Sequence, residues 1–562
     1  MLHLLPFAPR LTVRVRLVRV STQSTQSLEF KTTLNWEPRP HGVWYMLRLI
    51  CVVVGCLPTA ICWADWSQGP GAHFDFTAPE SAAPTQWSVV QNANIAWKTS
   101  LPETGQSAPV VVGNRIFVTT MKPVEADSAT GSDIVAWCLS TTDGKVLWQR
   151  DIPGTYQTRL SAPFGDASSP AAVSDGQRVW FLNPTGRLVC FDLQGNELWS
   201  KRVVSVARTR PILHEGTLIL HRQVYLPDEG GKFGHENANA GRATWTQLQA
   251  LNCDSGKPVW LSECGVNMGC VPLLQQLSDG TQVLVVGRGG GHGPPEKPEG
   301  ISMIRADNGK TVWTLPLEKF MSTQTYPVVN DQVLVFHRGE HLWVNAKDGS
   351  IVRRVSIVKD VPVRRWTPEG RTTAVETLPE QKPRSITQQS NLRVGNFHYF
   401  RAYTRNYVGR VDLDAGTVQY LEMPIQVLRE LGKQDRLLWR GTPVAKPATP
   451  SKKREPVRLR ANAVRNARGM LVMGDKRSQG TGWGHVCAPI PTAAGNRLVI
   501  PLMSGNVFVI QTDAKVFDER AVLAINDLGP LGQSFTRASI TVSGNRWYAH
   551  TIRELIAIGE VK

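Results

Sequence analysis

"STTDGKVLW", residues 140–148, has the form of a β-hairpin: a polar turn at Asp143-Gly144, then an apolar run ending on Trp148. The same phrase returns as "DLQGNELW" (192–199), "CDSGKPVW" (253–260) and "ADNGKTVW" (306–313). Two worn copies follow, "AKDGSIVR" ending at Arg353 and "LDAGTVQY" ending at Tyr420. In all six a glycine stands four residues before the last position, which is Trp in four of them. Recurrence of this kind marks a repeat architecture, each copy being one unit of supersecondary structure that buries its apolar face against its neighbours.

A second signal precedes each turn: a small residue and a proline, then a β-rich run. It occurs at Pro109, Pro170, Pro211, Pro272, Pro327 and Pro489, and with serine in the proline place at Ser390 and Ser539. That makes eight units. Each reads as two strands around a Gly/Asn/Asp turn, a third strand, the DG-type hairpin and a fourth strand. Four strands per unit with a tryptophan on the last is the pattern of a propeller blade, where a large flat side chain fills the wedge between neighbouring sheets. Trp97, Trp148, Trp199, Trp260, Trp313 and Tyr420 are the expected wedge residues.

The eighth unit stops after "RELIAIGEVK" without its fourth strand, while "NIAWKTSLP" (94–102) is a fourth strand without a unit before it. Pairing the two closes the ring and removes two exposed sheet edges. The expected fold is all-β: an eight-bladed propeller over residues 94–562, sealed by its N-terminal strand, after a lead-in at 65–93. Insertions are expected at 226–243, 359–385 and 425–486, with a short helix over "PIQVLRELG" in the last.

Hydrophobic residues make up 41% and charged residues 19% of the 562, an ordinary globular composition. The net charge of +17 is uneven: residues 425–486 alone hold 14 basic and 4 acidic residues. A near-neutral body with one basic insertion is not a general nucleic-acid binder, and no aromatics interleave with the basic residues. The insertion suits an anionic surface instead, which leaves membrane association open.

"MLRLICVVVGCLPTAICWADW" (46–66) has a basic start, an apolar run broken by Pro58, and small Ala64 before Asp65. This is the form of a signal peptide over 46–64 cleaved after Ala64, which implies export to the periplasm or the outside. Residues 1–45 show no periodicity and read as an extension ahead of the true start at Met46. The minor alternative is a lipoprotein with the anchor on Cys56. Cys264 and Cys270 in "ECGVNMGC" are candidates for a small disulfide loop, with buried free thiols as the alternative.

"LSTTDGKVLW", "LNCDSGKPVW" and "IRADNGKTVW" resemble the repeat of the pyrroloquinoline-quinone (PQQ) propellers, and the resemblance extends over residues 65–562. It implies a quinoprotein-like propeller. It does not settle activity, because that fold serves both quinoprotein dehydrogenases and the non-enzymatic assembly protein BamB. A quinoprotein needs a carboxylate and amide oxygens for Ca²⁺ and an acidic base, often with adjacent cysteines over the quinone. No two cysteines are adjacent, and no CxxCH is present for a c-type haem.

Residues entering each innermost strand line a propeller's central opening. The eight tetrads before the proline-equivalents contain one acid, Asp166, beside Gln106, Arg208, Arg210, Gln324, Gln388, His485 and Arg537; Trp483 stands next to His485. This rim is basic and short of oxygen ligands for a hard cation. Asp228, Glu229 and Glu236 are the acids an insertion would have to supply. "GRGGGHGPPEKPEG" (287–300) lacks the GK[ST] ending of a phosphate loop and reads as a hairpin connection. His337 and His341 do not share a helix face, so no metal site is expected there.

The sequence therefore points to a non-catalytic, monomeric envelope scaffold, similar to BamB, with no cofactor and no assigned catalytic residue. Its expected partner is an envelope protein or an anionic polymer. The alternative is a PQQ-dependent sugar or alcohol oxidoreductase using PQQ with Ca²⁺.

Overall fold

The computed structural model describes residues 66–562, except 72, 104, 163–164, 206–208, 225–244, 290–296, 368–369, 380–385, 403–404, 424–425, 431–435, 439–453, 459–482, 484–488, 531–533 and 561–562. Eight antiparallel blades account for most of it. Blade 1 consists of Val110–Val112, Arg115–Met121, Ile134–Ser140 and Val146–Ile152, hydrogen-bonded in that order. Blades 2 to 5 repeat the plan and begin at Val173–Ser174, Ile212–His214, Leu274–Gln276 and Val328–Val329. Blade 6 begins with Ile386–Val394, blade 7 with Thr492–Ala494 and blade 8 with Thr541–Ser543. The single described helix is the 3₁₀ turn Glu519–Ala521.

Ile95–Ser100 forms the outer strand of blade 8, antiparallel to Glu554–Ile558, with Trp97 opposite Ala557 and Thr99 opposite Leu555. The ring is thus sealed by the chain's own N-terminal strand, as the orphan half-repeats require.

The repeated glycine and the repeated tryptophan serve the same joint. In blade 1 the turn is held by Gly144 N–H donating to the Ser140 carbonyl (3.0 Å), with Gly144 at φ +71°. The Trp97 ring of the preceding blade lies directly on that glycine: a methyl group there would come within 2.5 Å of it. Trp148 covers Gly195, Trp199 covers Gly256, Trp260 covers Gly309 and Trp313 covers Gly349 in the same way. Four of these indoles also donate into the covered turn: Trp97 to Thr141 O (3.0 Å), Trp148 to Leu193 O (3.0 Å), Trp199 to Cys253 O (2.9 Å) and Trp313 to Ala346 O (2.7 Å). Trp260 docks without that bond.

Where the repeat is worn the joint changes. Arg353 covers Gly416 and donates through Nη1 to the carbonyls of Leu413 and Asp414, both at 3.0 Å. Tyr420 is a correction to the wedge set. Blade 7 has no DG turn to receive it, and its hydroxyl donates back to the Ile357 carbonyl. At the outer edge of the joint between blades 6 and 7, Arg364 grips Glu519 through two bonds of 2.9 and 2.8 Å.

Arg364 belongs to a hairpin, Val361–Thr367 with Gly370–Glu376, that extends blade 6 at its outer strand. In the largest insertion the described backbone is extended at Gln426–Glu430, Arg436–Leu438 and Arg454–Arg458, three strands in one small sheet. The short helix expected over "PIQVLRELG" is therefore a strand; a run so short between Pro424 and Gly432 gains too few helical bonds to offset nucleation. Cys264 and Cys270 are buried and not joined in a disulfide, and the Cys270 sulfur accepts the Gly287 N–H at 3.2 Å.

The lead-in crosses the inner strands at the end of the ring where the hairpins lie. Trp66 bridges Val111 of blade 1, and Gln68 bridges Val173 of blade 2 and accepts Leu213 N–H of blade 3. Thr77–Ala78 then lies parallel to Thr492–Ala494 of blade 7. The Arg497 guanidinium holds the Ser81 and Ala83 carbonyls, and the Trp547 indole of blade 8 donates to Pro84 O at 3.0 Å. Ser88 finally bonds Asp527, on the outer strand of blade 7, at 2.6 Å. The segment closes one end of the channel before it becomes the sealing strand.

Candidate functional site

The opposite end of the ring is built from connections that enter the inner strands, because each blade's second and fourth strands finish there. Two predicted rim residues, Gln106 and Arg537, meet at this end, joined by Ser169 of blade 2. Arg537 donates through Nη1 to Gln106 Oε1 (3.1 Å), which also accepts the Ser169 hydroxyl (3.1 Å). Gln106 Nε2 in turn donates to Ala162 O at 3.1 Å. The result is a preset, half-buried cation braced by an amide.

Asp166 is next to this group but faces away from the opening. It is fully buried; one carboxylate oxygen accepts Ser161 N–H (2.9 Å), the other Ser168 N–H (3.0 Å) and the Ser168 hydroxyl (2.5 Å). Burial raises its pKa, opposed by these hydrogen bonds and by the charge of Arg537. Both oxygens are committed to shaping their own loop.

The other rim candidates separate. Gln324 is buried and bonds the Met321 and Phe336 carbonyls, so it ties blade 5 to its own connection. Arg210 stands against the lead-in: its guanidinium carbon lies 4.9 Å over the Phe76 ring, and burial lowers its pKa to about 10. Trp483 is 2% exposed, donates to Ala402 O (3.0 Å) and packs 6.1 Å from Phe508, filling the joint between blades 6 and 7. Gln388 is on the inner strand of blade 6, where the backbone alone is described. Arg208 and His485, with Asp228, Glu229 and Glu236, lie outside the described residues.

Sequence reasoning missed Arg401. It is fully buried near the end of Phe397–Ala402, its guanidinium 5.4 Å from the Trp483 ring, and its three nitrogens have no hydrogen-bond partner among the described residues. Burial alone pulls its pKa down to about 9. In "FRAYTRN" nothing marks it off from an arginine on the solvent face of a strand.

Among the described residues of the predicted tetrads Asp166 is the one carboxylate; both its oxygens already accept hydrogen bonds, and Arg537 supplies positive charge rather than a cation ligand.

Residues 85–164 and 128–261 match the protein family described as outer membrane protein assembly factor BamB. The chain carries the PQQ-like propeller repeat. No curated protein matches it in sequence. Among solved structures, the PQQ-like propeller is similar to the quinohemoprotein alcohol dehydrogenase ADHIIG of Pseudomonas putida HK5, at 14% identity over 86% of this chain and 81% of that one, TM-score 0.46. It is also similar to BamB of Moraxella catarrhalis, at 11% identity over 72% of this chain and 96% of that one, TM-score 0.33. Both likenesses are to the fold.

Proposed function

We propose that this PQQ-like propeller is a non-catalytic binding scaffold of the cell envelope, with a BamB-like role. The supporting observation is the treatment of charge at the open rim: Asp166 is turned inward by three hydrogen bonds while Arg537 is braced by Gln106. A rim that keeps its cation and buries its acid favours an anionic protein segment or polymer. The basic insertion at 425–486 adds charge of the same sign along the chain. Among the described residues no helix is long and apolar enough to cross a membrane. In this reading the chain is exported after cleavage at Ala64, leaving Asp65 as the first residue, and acts as a monomer without a cofactor.

The test pairs two assays. Capture from an envelope fraction should recover a partner with the intact chain and lose it with Arg537→Glu or with residues 440–470 deleted. Purified protein given PQQ and Ca²⁺ should reduce no dye with a panel of sugars and alcohols; substrate-dependent reduction would overturn the scaffold reading.

A further inference from the structure

The closed end of the channel holds a cavity of about 390 Å³ between the lead-in and the inner strands of blades 4, 5 and 6. It is distant in the chain from the rim residues that carry the scaffold reading and is independent of them. Its most unusual wall residue is Asn391. That side chain is fully buried, and its Oδ1 accepts the Thr325 hydroxyl (2.8 Å) while lying 3.0 Å from His398 Nε2. His398 Nδ1 is in turn 2.9 Å from His341 Nε2.

Burial keeps both rings neutral: it pushes His398 down to about 3 and His341 well below its ordinary value. Each neutral ring has one N–H and one bare nitrogen, so the sense of the relay follows from the amide: Asn391 Oδ1 is the acceptor at its end. His341 Nε2–H donates to His398 Nδ1, and His398 Nε2–H donates to Asn391 Oδ1. In this arrangement the amide oxygen takes the bonds from Thr325 and His398, and the NH₂ group is left over. The Asn391 NH₂ group makes no hydrogen bond among the described residues. Leaving a buried donor unmade costs about 1–3 kcal/mol, and three side chains are spent on holding this one.

Arg393 is two residues along the same inner strand, on the same face, and also lines the cavity. Its Nε is buried without a hydrogen-bond partner. Phe74, Leu273 and Val328 give the cavity an apolar side. Asp75 lines it too; its Oδ1 accepts the Thr77 N–H (2.9 Å) and hydroxyl (2.8 Å). Asp75 and Arg393 form no ion pair within 4 Å among the described residues, but the Arg393 charge reaches Asp75 and opposes the rise that burial gives its pKa.

We propose that this cavity binds a small organic monocarboxylate, with its anionic head on the Asn391 amide and Arg393 and its apolar body against Phe74. Two adjacent donors, one of them charged, match a carboxylate. Asp75 sets the limit: a second negative charge on the ligand would meet it.

The experiment is calorimetric titration and thermal melting of the intact mature chain with benzoate, 4-methylpentanoate, succinate and inorganic phosphate. One monocarboxylate should bind with one-to-one stoichiometry and raise the melting temperature, with succinate and phosphate at least about tenfold weaker. Asn391→Leu and Arg393→Gln should each weaken it about tenfold or more; Arg393 is only half-buried, so its variant serves even if the Asn391 variant does not fold. No binding of either monocarboxylate at about 10 mM, tighter binding of phosphate, or undiminished binding in Arg393→Gln would each overturn the assignment.

Discussion

Trp97 lies over Gly144 with its indole N–H 3.0 Å from the Thr141 carbonyl, joining a strand from the start of the chain to the first turn of blade 1. The same contact recurs from blade to blade, so glycine and tryptophan form one joint between successive repeats. The sequence writes them four residues apart within one unit, but each acts on a different neighbour.

Gly144→Ala should destabilise the propeller by about 2–4 kcal/mol, since it combines a positive-φ penalty with overpacking against Trp97. Gly113 is the control. It also has positive φ, +54°, but nothing lies within 4 Å of an added methyl group. Gly113→Ala should cost about 1 kcal/mol. Urea denaturation of both variants measures the difference.

Arg353 replaces the tryptophan of blade 5 and bonds two carbonyls of the next blade. Arg353→Ala should lose about 1–3 kcal/mol, the usual cost of removing charged hydrogen bonds and leaving their partners unmade. Arg353→Trp should recover most of that, because Gly416 still offers the bare turn on which the other wedges lie. The same denaturation series decides it.

The ring was legible from sequence because its joints are local phrases: a turn, a glycine and a tryptophan within nine residues. The sealing strand was legible because half-repeats at the two ends can only complete each other. The path of the lead-in was not. Its contacts run from Trp66 to Val111 and from Ser88 to Asp527, across the whole chain, and "WSQGPGAHFDFTAPE" has no period to announce them. The rim was half legible. Position in the tetrad brought Gln106 and Arg537 together, but whether a side chain faces the opening depends on its loop, which turned Asp166 inward. Tyr420 was misplaced for a related reason: its partner blade lost the turn that a wedge requires.

Acid should weaken the fold earlier than its carboxylates alone would dictate. His221, His398 and His550 are fully buried, and burial pushes them down to about 3, 3 and 4. Above their unfolded value near 6.5 both states are neutral and nothing is lost. As pH falls from there the unfolded chain takes up protons that the native state refuses, so stability drops by up to about 1.4 kcal/mol per pH unit for each histidine until the folded values are reached. Melting temperature should start to fall near pH 6.5, and His550→Gln should make that fall shallower.

The Arg364–Glu519 pair adds a loss in the same direction at lower pH. Glu519 is held down to about 2, chiefly by the Arg364 guanidinium, so its contribution is complete above the unfolded value near 4.5 and is lost as pH falls through the folded one. Both side chains are about one-fifth exposed, 23% for Arg364 and 20% for Glu519, so solvent screening reduces the pair below its full Coulomb strength. Glu519→Gln should cost about 1–2 kcal/mol at neutral pH and almost nothing at pH 2. Because the pair spans blades 6 and 7 only, the loss should be local. Hydrogen exchange should quicken in Val522–Asp527 and in Val361–Thr367 while blades 1 to 4 keep their protection. Uniform loss of protection around the ring would show that this joint does not act alone.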